Sequence, residues 1–199
     1  LFPGVEDWFS CIREYGRSRG VIIEHYIISS GLKEMIEGTR VAGEFERIYA
    51  SSFYYNERGL AVWPAQVINY TNKTQFIFKI NKGVESVYDT QLVNRYMEEE
   101  RRPVPFKRMI YVGDGMTDIP CMRLVKNYGG HSIAVYNPDD KGKRKEMNAL
   151  ISANRVNFVC SADYSEGSEI DIVVKSVMDK IAADLQLEHL SDAKHVGLK

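Results

Sequence analysis

Residues 109–118 read MIYVGDGMTD. The first five are apolar and short, the pattern of a strand buried on both faces, and Asp114-Gly115 turns the chain at its end. Residues 119–128 then read as a helix, closed by Gly129-Gly130. The same punctuation recurs downstream. Residues 131–136 (HSIAVY) predict a strand, 143–154 a helix, 156–160 a strand and 168–187 a long helix, with the last dozen residues polar and frayed. Upstream, the apolar, β-branched run 21–30 (VIIEHYIISS) predicts another buried strand, which Gly31 turns into a helix over 32–38. Val5, Trp8, Phe9 and Ile12 recur at spacings of three, four and seven, predicting an amphipathic helix over 5–15 opened by Pro3-Gly4 and closed by Gly16 and Gly20. Strands alternating with helices define an α/β protein: a Rossmann-like parallel sheet with helices on both faces.

Two stretches depart from the alternation. Residues 45–55 and 60–70 are β-rich and flank Asn56-Glu57-Arg58-Gly59, which predicts a β-hairpin excursion over 45–70. Thr71 or Asn72 is placed to cap a helix from Lys73 to about Lys82. Residues 85–107 hold the charge run Glu98-Glu99-Glu100-Arg101-Arg102 and two prolines, Pro103 and Pro105. They read as a surface insertion, helical in its middle, whose charges form a solvated face. The expected organisation is one core domain over 1–185 and a flexible tail over 186–199.

Composition narrows the classes. The chain has 199 residues, 44% hydrophobic and 27% charged, with a formal net charge of −1, so there is no basic footprint for nucleic acid or anionic membrane. No apolar run approaches the roughly 20 residues that cross a bilayer. Cys11, Cys121 and Cys160 are scattered without metal-like spacing and read as reduced, packing thiols of a cytoplasmic protein. Leu1 is not a start methionine and no secretory pattern precedes Trp8, so the chain is expected to begin inside a larger protein.

In parallel α/β sheets ligands bind beyond the carboxyl ends of the strands. That rule puts residues 29–31 and 113–118 on one rim. Asp114 and Asp118, four positions apart across a glycine, offer hard oxygens suited to Mg²⁺, which takes one or two carboxylates plus water and substrate phosphate. The plainer alternative is a turn with Asp118 capping a helix. Ser29, with Ser30 and Gly31 at a helix start, offers a hydroxyl and N–H groups to a phosphate oxygen, although serine and glycine after a strand are commonly a turn and a cap. Lys73 opens a helix from which an ammonium reaches the rim, and Lys79 and Lys82 compete with it for that role.

A strand ending in serine, then a lysine at a helix start, then a strand ending in GDGMTD resembles the second, third and fourth motifs of the haloacid dehalogenase-like superfamily. The likeness is closest to its phosphoserine-phosphatase-like branch and covers approximately residues 1–171, with 85–105 unmatched. Residues 1–5 (LFPGV) resemble the return of that branch from its helical cap, and residues 47–69 its β-excursion. The resemblance implies a Mg²⁺-dependent phosphatase acting on a small-molecule phosphate ester through an aspartyl-phosphate. It implies catalytic roles for Ser29, Lys73 and Asp118: Ser29 binds the transferring phosphoryl group, Lys73 offsets its charge, and Asp118 supports the metal or orients Lys73. Asp114 and Asp118 are the implied metal ligands, and Ser29, Ser30, Gly31 and Lys73 the implied substrate contacts. Thr117 stands where the branch usually has asparagine.

The first motif of the family, Asp-x-Asp-x-Thr/Val, is absent from these 199 residues. It holds the nucleophile and the general acid/base, and neither Asp7 nor Asp139-Asp140 substitutes for it. Residues 1–199 alone are therefore expected to be catalytically inert, with the motif and a helical cap upstream. The competing expectation is a binding or scaffold protein that keeps the fold without the nucleophile. Another rim-binding α/β protein, such as a receiver-like or nucleotide-binding domain, ranks last, and for the latter neither GxxxxGK[ST] nor GxGxxG occurs.

Overall fold

The computed structural model describes residues 1–84, 86, 89 and 91–196, with the backbone alone at Lys141 and at 192–196. Its helices are α1 (Val5–Ser18), α2 (Lys33–Glu37), α3 (Lys73–Lys82), the single turn α4 (Gln91–Asn94), α5 (Ile119–Asn127), α6 (Lys141–Ser152) and α7 (Glu169–Val196). Its strands are β1 (Tyr26–Leu32), β2 (Arg47–Tyr55), β3 (Ala61–Gln66), β4 (Ile110–Gly113), β5 (His131–Tyr136) and β6 (Phe158–Ser161). The chain divides into two compact units where one domain over 1–185 was expected: residues 1–24 together with those from Ala162 onward, and residues 25–161.

In the first unit α1 continues through Gly16, which the sequence suggested as its end. Gly16 is needed for a different reason: a Cβ there would stand 2.6 Å from Ile23 Cγ1 and 2.9 Å from the carbonyl of Val21. The helix ends at Ser18, and Gly20 just beyond, with a φ of 73°, lets Gly20 and Val21 donate back to the carbonyls of Arg17 and Gly16. Trp8 packs edge-on against Tyr164 at 5.3 Å between ring centres. The Tyr15 hydroxyl and Arg19 Nε both reach the Asp179 carboxylate at 2.9 Å. α7 is helical to Val196, which takes in most of the tail expected to fray, and residues 197–199 lie outside the described ones.

The second unit holds two three-stranded sheets, ordered β1-β2-β3 and β4-β5-β6. β1 and β2 are parallel, β2 and β3 form the antiparallel hairpin, and β4, β5 and β6 are all parallel. The expectation of one continuous parallel sheet is corrected here: among the described residues no ladder joins β1 to β4. The two edges still share a core, because Ile28 of β1 and Met109 and Tyr111 at β4 all pack on the buried cluster Ile77, Phe106, Cys121 and Val125. Successive strands thus run outward from this junction in both directions. β5 is out of water on both faces, with Ile133 and Val135 on one and Ala134 and Tyr136 on the other. Ala134 and Tyr136 meet Met122 of α5 and Met147 of α6. Each fully buried side chain of this size is worth about 1.5–3 kcal/mol.

β1 begins at Tyr26 and not at Val21. Residues 21–25 form no strand, and the pairing with β2 starts at Tyr26↔Arg47. The hairpin is held at its root by Glu34, in the first turn of α2, whose Oε1 accepts the N–H of Phe53 at 3.0 Å. That bond, with a further one to the Tyr55 hydroxyl, holds the Glu34 carboxyl below its usual range. Beyond the root, cross-strand partners Tyr54 and Trp63 are exposed.

Candidate functional site

Gly113 ends β4 against the start of α5, and its missing side chain makes the site. A Cβ at that position would lie 2.7 Å from both Asp118 Cβ and Met122 Cε. The close approach lets a turn of 3₁₀ helix (Met116–Asp118), closed by Asp118 N–H to Gly115 C=O at 3.0 Å, fold directly onto the strand end. Asp118 occupies the N-cap position of α5 but makes no side-chain cap bond. The plain role of helix cap is thereby excluded.

The Asp118 carboxylate serves another partner. Lys73, the first residue of α3, places Nζ 2.7 Å from Asp118 Oδ1, and both residues are 5% exposed. Burying two charges is costly, and removing one partner from such a pair leaves the other uncompensated at about 3–5 kcal/mol. The pair therefore ties α3 to the β4–α5 turn across the junction of the two sheets.

Tyr111, two residues before Gly113 and so on the same strand face, donates its hydroxyl to the same oxygen, Asp118 Oδ1, at 2.7 Å. Burial, reinforced by the negative charge of Asp118, pushes the phenol far above its ordinary value. It is a neutral donor at any physiological pH. Cys121 touches the Tyr111 hydroxyl as well, and its burial pushes the thiol up to about 11. Sequence reasoning did not single out Tyr111. The available signal was strand alternation: a residue with a polar tip two places before the strand-end glycine shares the face on which Asp118 lands.

The remaining sequence candidates are placed as follows. Asp114 is exposed, and among the described residues its carboxylate makes no hydrogen bond or ion pair. Ser29 is half-buried near the carboxyl end of β1, and its Oγ accepts the N–H of Gly31 at 3.0 Å. The hydroxyl proton of Ser29 is then left to donate outward. Gly31 belongs to β1 and not to a helix start, and its N–H is engaged by Ser29. The Ser30 carbonyl accepts from Ser51 Oγ at 3.3 Å. No bond joins Ser29 or Asp114 to the Lys73–Asp118 pair among the described residues.

The three lysines of α3 are separated by geometry. Lys79 Nζ donates to the carbonyls of Ser86 at 2.8 Å and Asp89 at 3.1 Å, and desolvation lowers its pKa. Lys82 Nζ donates to the carbonyls of Val93 at 2.5 Å and Arg95 at 2.7 Å. Both hold the insertion. Lys73 is the one of the three that meets a rim carboxylate.

A metal was implied by the sequence, and the donor chemistry bears on it. Among the described residues no group of three or more His, Cys, Asp or Glu side chains gathers into a ready cage. Mg²⁺ requires only one or two carboxylates, with water and phosphate completing its six oxygens. The uncommitted Asp114 carboxylate and Oδ2 of Asp118, the oxygen that neither Lys73 nor Tyr111 takes, are donors of the type such an ion would need. A surface hollow of about 430 Å³ lies elsewhere, toward the amino end of β2, lined by Lys33, Glu37, Phe45, Glu46, Arg47 and Tyr49.

No family model matches the chain. A protein of Borreliella burgdorferi described as uncharacterized is 27% identical over 201 aligned residues. The match takes in 91% of this chain and 66% of the relative, so the chain spans just under two thirds of that protein's length. Among the described residues, no helix is long and apolar enough to cross a membrane.

Proposed function

We propose that this chain forms the phosphate- and metal-binding part of a Mg²⁺-dependent phosphomonoester hydrolase of the haloacid dehalogenase-like type, acting on a small-molecule phosphate ester in the cytoplasm. The observation that carries the proposal is the buried Lys73–Asp118 pair at 2.7 Å. It links residues 45 positions apart at the rim where the strand order runs outward in both directions, the place where open α/β sheets bind ligands. A Rossmann-like core is the finer description of the two sheets under this proposal.

Each residue then has a task. Ser29 donates its free hydroxyl proton to a phosphoryl oxygen. Lys73, oriented by Asp118, offsets charge on the transferring group. Asp114 and the second oxygen of Asp118 hold Mg²⁺, which supplies polarisation of the phosphoryl group and charge neutralisation. The nucleophile is not among these residues. A phosphatase of this type uses an Asp-x-Asp strand, which these 199 residues do not contain, and the unladdered junction of β1 and β4 is where such a strand would pair.

The test is turnover of an aryl phosphate by the full-length protein with Mg²⁺ and with chelator. Hydrolysis that depends on Mg²⁺ and falls by at least about 10²–10³-fold in Asp114→Ala is expected. Metal-independent turnover, or full activity in that variant, would sink the proposal.

A further inference from the structure

We infer that Tyr111 is a positioning residue of this site, locking the Asp118 carboxylate so that one oxygen holds Lys73 and the other stays available to a cation. The inference rests on the phosphatase proposal above and assigns a device within it.

Two donors converge on Asp118 Oδ1, the Lys73 ammonium and the Tyr111 hydroxyl, each at 2.7 Å. A carboxylate oxygen offers two lone-pair sites, so Oδ1 is saturated. Oδ2 lies 3.7 Å from where a Cβ on Gly115 would stand, beside the turn that carries Asp114. What holds this orientation is informative. Asp118 makes no cap bond to the start of α5, so no backbone N–H pins the carboxylate. The terminal torsion of an aspartate is broad and roughly two-fold. With Lys73 alone, a long flexible chain ending in three equivalent donors, the ammonium could follow a turning carboxylate or bridge both of its oxygens. Tyr111 removes that freedom because it packs against two core clusters, one holding Met122, Tyr136 and Met147 and the other Phe106, Cys121 and Val125. Its hydroxyl is therefore a fixed point, and the carboxylate must turn to meet it.

A purely structural role differs in what it leaves unchanged. If Asp118 merely satisfied a buried phenol, removing the hydroxyl would alter stability and not the site. The test uses the full-length protein and Tyr111→Phe, which keeps the ring. Mg²⁺ affinity is measured by calorimetry without substrate, and kcat and KM are measured on an aryl phosphate. Groups that orient metal ligands typically contribute 10–100-fold to affinity or activity. A loss of Mg²⁺ affinity in that range, with kcat reduced and KM nearly unchanged, is the expected result. In an Asp118→Asn background the same substitution should weaken Mg²⁺ binding no further, since Tyr111 acts through Asp118. Wild-type Mg²⁺ affinity and kcat in Tyr111→Phe, or effects that simply add in the double variant, would overturn the inference alone. A wild-type protein that neither binds Mg²⁺ nor hydrolyses phosphate esters would overturn the phosphatase proposal and this inference with it.

Discussion

Lys73 and Asp118 meet at 2.7 Å, 45 residues apart in sequence and each 5% exposed. Replacing Lys73 by alanine leaves a buried carboxylate with Tyr111 as its one remaining donor among the described residues. The expected cost is about 3–5 kcal/mol in urea denaturation. Combining Lys73→Met with Asp118→Asn removes both charges and should recover much of that loss. If Lys73→Ala costs under about 1 kcal/mol, water reaches the carboxylate and the pair is not the dry link described here.

Asp114 behaves differently from Asp118 because it is exposed and makes no bond among the described residues. Asp114→Asn should change stability by no more than about 0.5 kcal/mol, while Mg²⁺-dependent turnover of the full-length protein disappears. Asp118→Asn should damage both. A thermal melt beside an activity assay separates the two carboxylates, and equal behaviour would contradict the assignment of Asp114 to the cation.

Lys82 holds the insertion through the carbonyls of Val93 and Arg95. Lys82→Ala should free that backbone, so that trypsin cleaves at Arg95 or Arg101 faster than in the wild type. Loops freed of their anchors are preferred sites of nicking. Turnover per intact molecule should be unchanged, since Lys82 does not reach the rim. Unaltered cleavage rates would show that other contacts suffice to hold the segment.

The cysteines give a pH-dependent test. Cys11 is exposed, whereas Cys121 and Cys160 are buried, so a maleimide at neutral pH should label one thiol of the folded chain and three after denaturation. Burial raises Cys121 from about 9 to about 11. A raised folded-state value favours the neutral thiol, so its contribution is complete below pH about 9 and is lost as the pH climbs toward 11. Two units correspond to about 2–3 kcal/mol. The stability difference between wild type and Cys121→Ala should shrink by up to that amount across this window in urea melts. A difference independent of pH would place Cys121 in contact with water.

Much of the second unit was legible in the letters. The runs that became β4, β5 and β6 lie within two residues of their expected starts, because apolar runs of four to six residues bounded by glycine or polar turns have few alternatives. The hairpin was marked by Asn56-Glu57-Arg58-Gly59 and formed there, with Asn56 Oδ1 accepting the N–H groups of Arg58 and Leu60. Less legible was β1. Residues 21–25 are as apolar as 26–30, and only the parallel register with Arg47 and Ile48 decides which half becomes strand. Gly16 misled in the same way, since a helix C-terminus and a close backbone crossing both call for glycine. The carboxyl-terminal residues looked frayed by composition alone, yet α7 continues to Val196.

The sequence by itself determined the α/β class, the order of the elements and the residue types at the rim, because hydrophobic period and turn chemistry are local properties. It put Lys73 ahead of Lys79 and Lys82 without excluding either, and left Asp118 undecided between a helix cap, a metal ligand and a partner of Lys73. Tertiary structure decided both. The position of α3 relative to the β4–α5 turn sends Lys73 into a dry site while Lys79 and Lys82 meet backbone carbonyls, and the alternation along β4 turns Tyr111 onto the same carboxylate. Which charge finds which partner depends on distance and on the exclusion of water, and both exist only once distant segments have packed together.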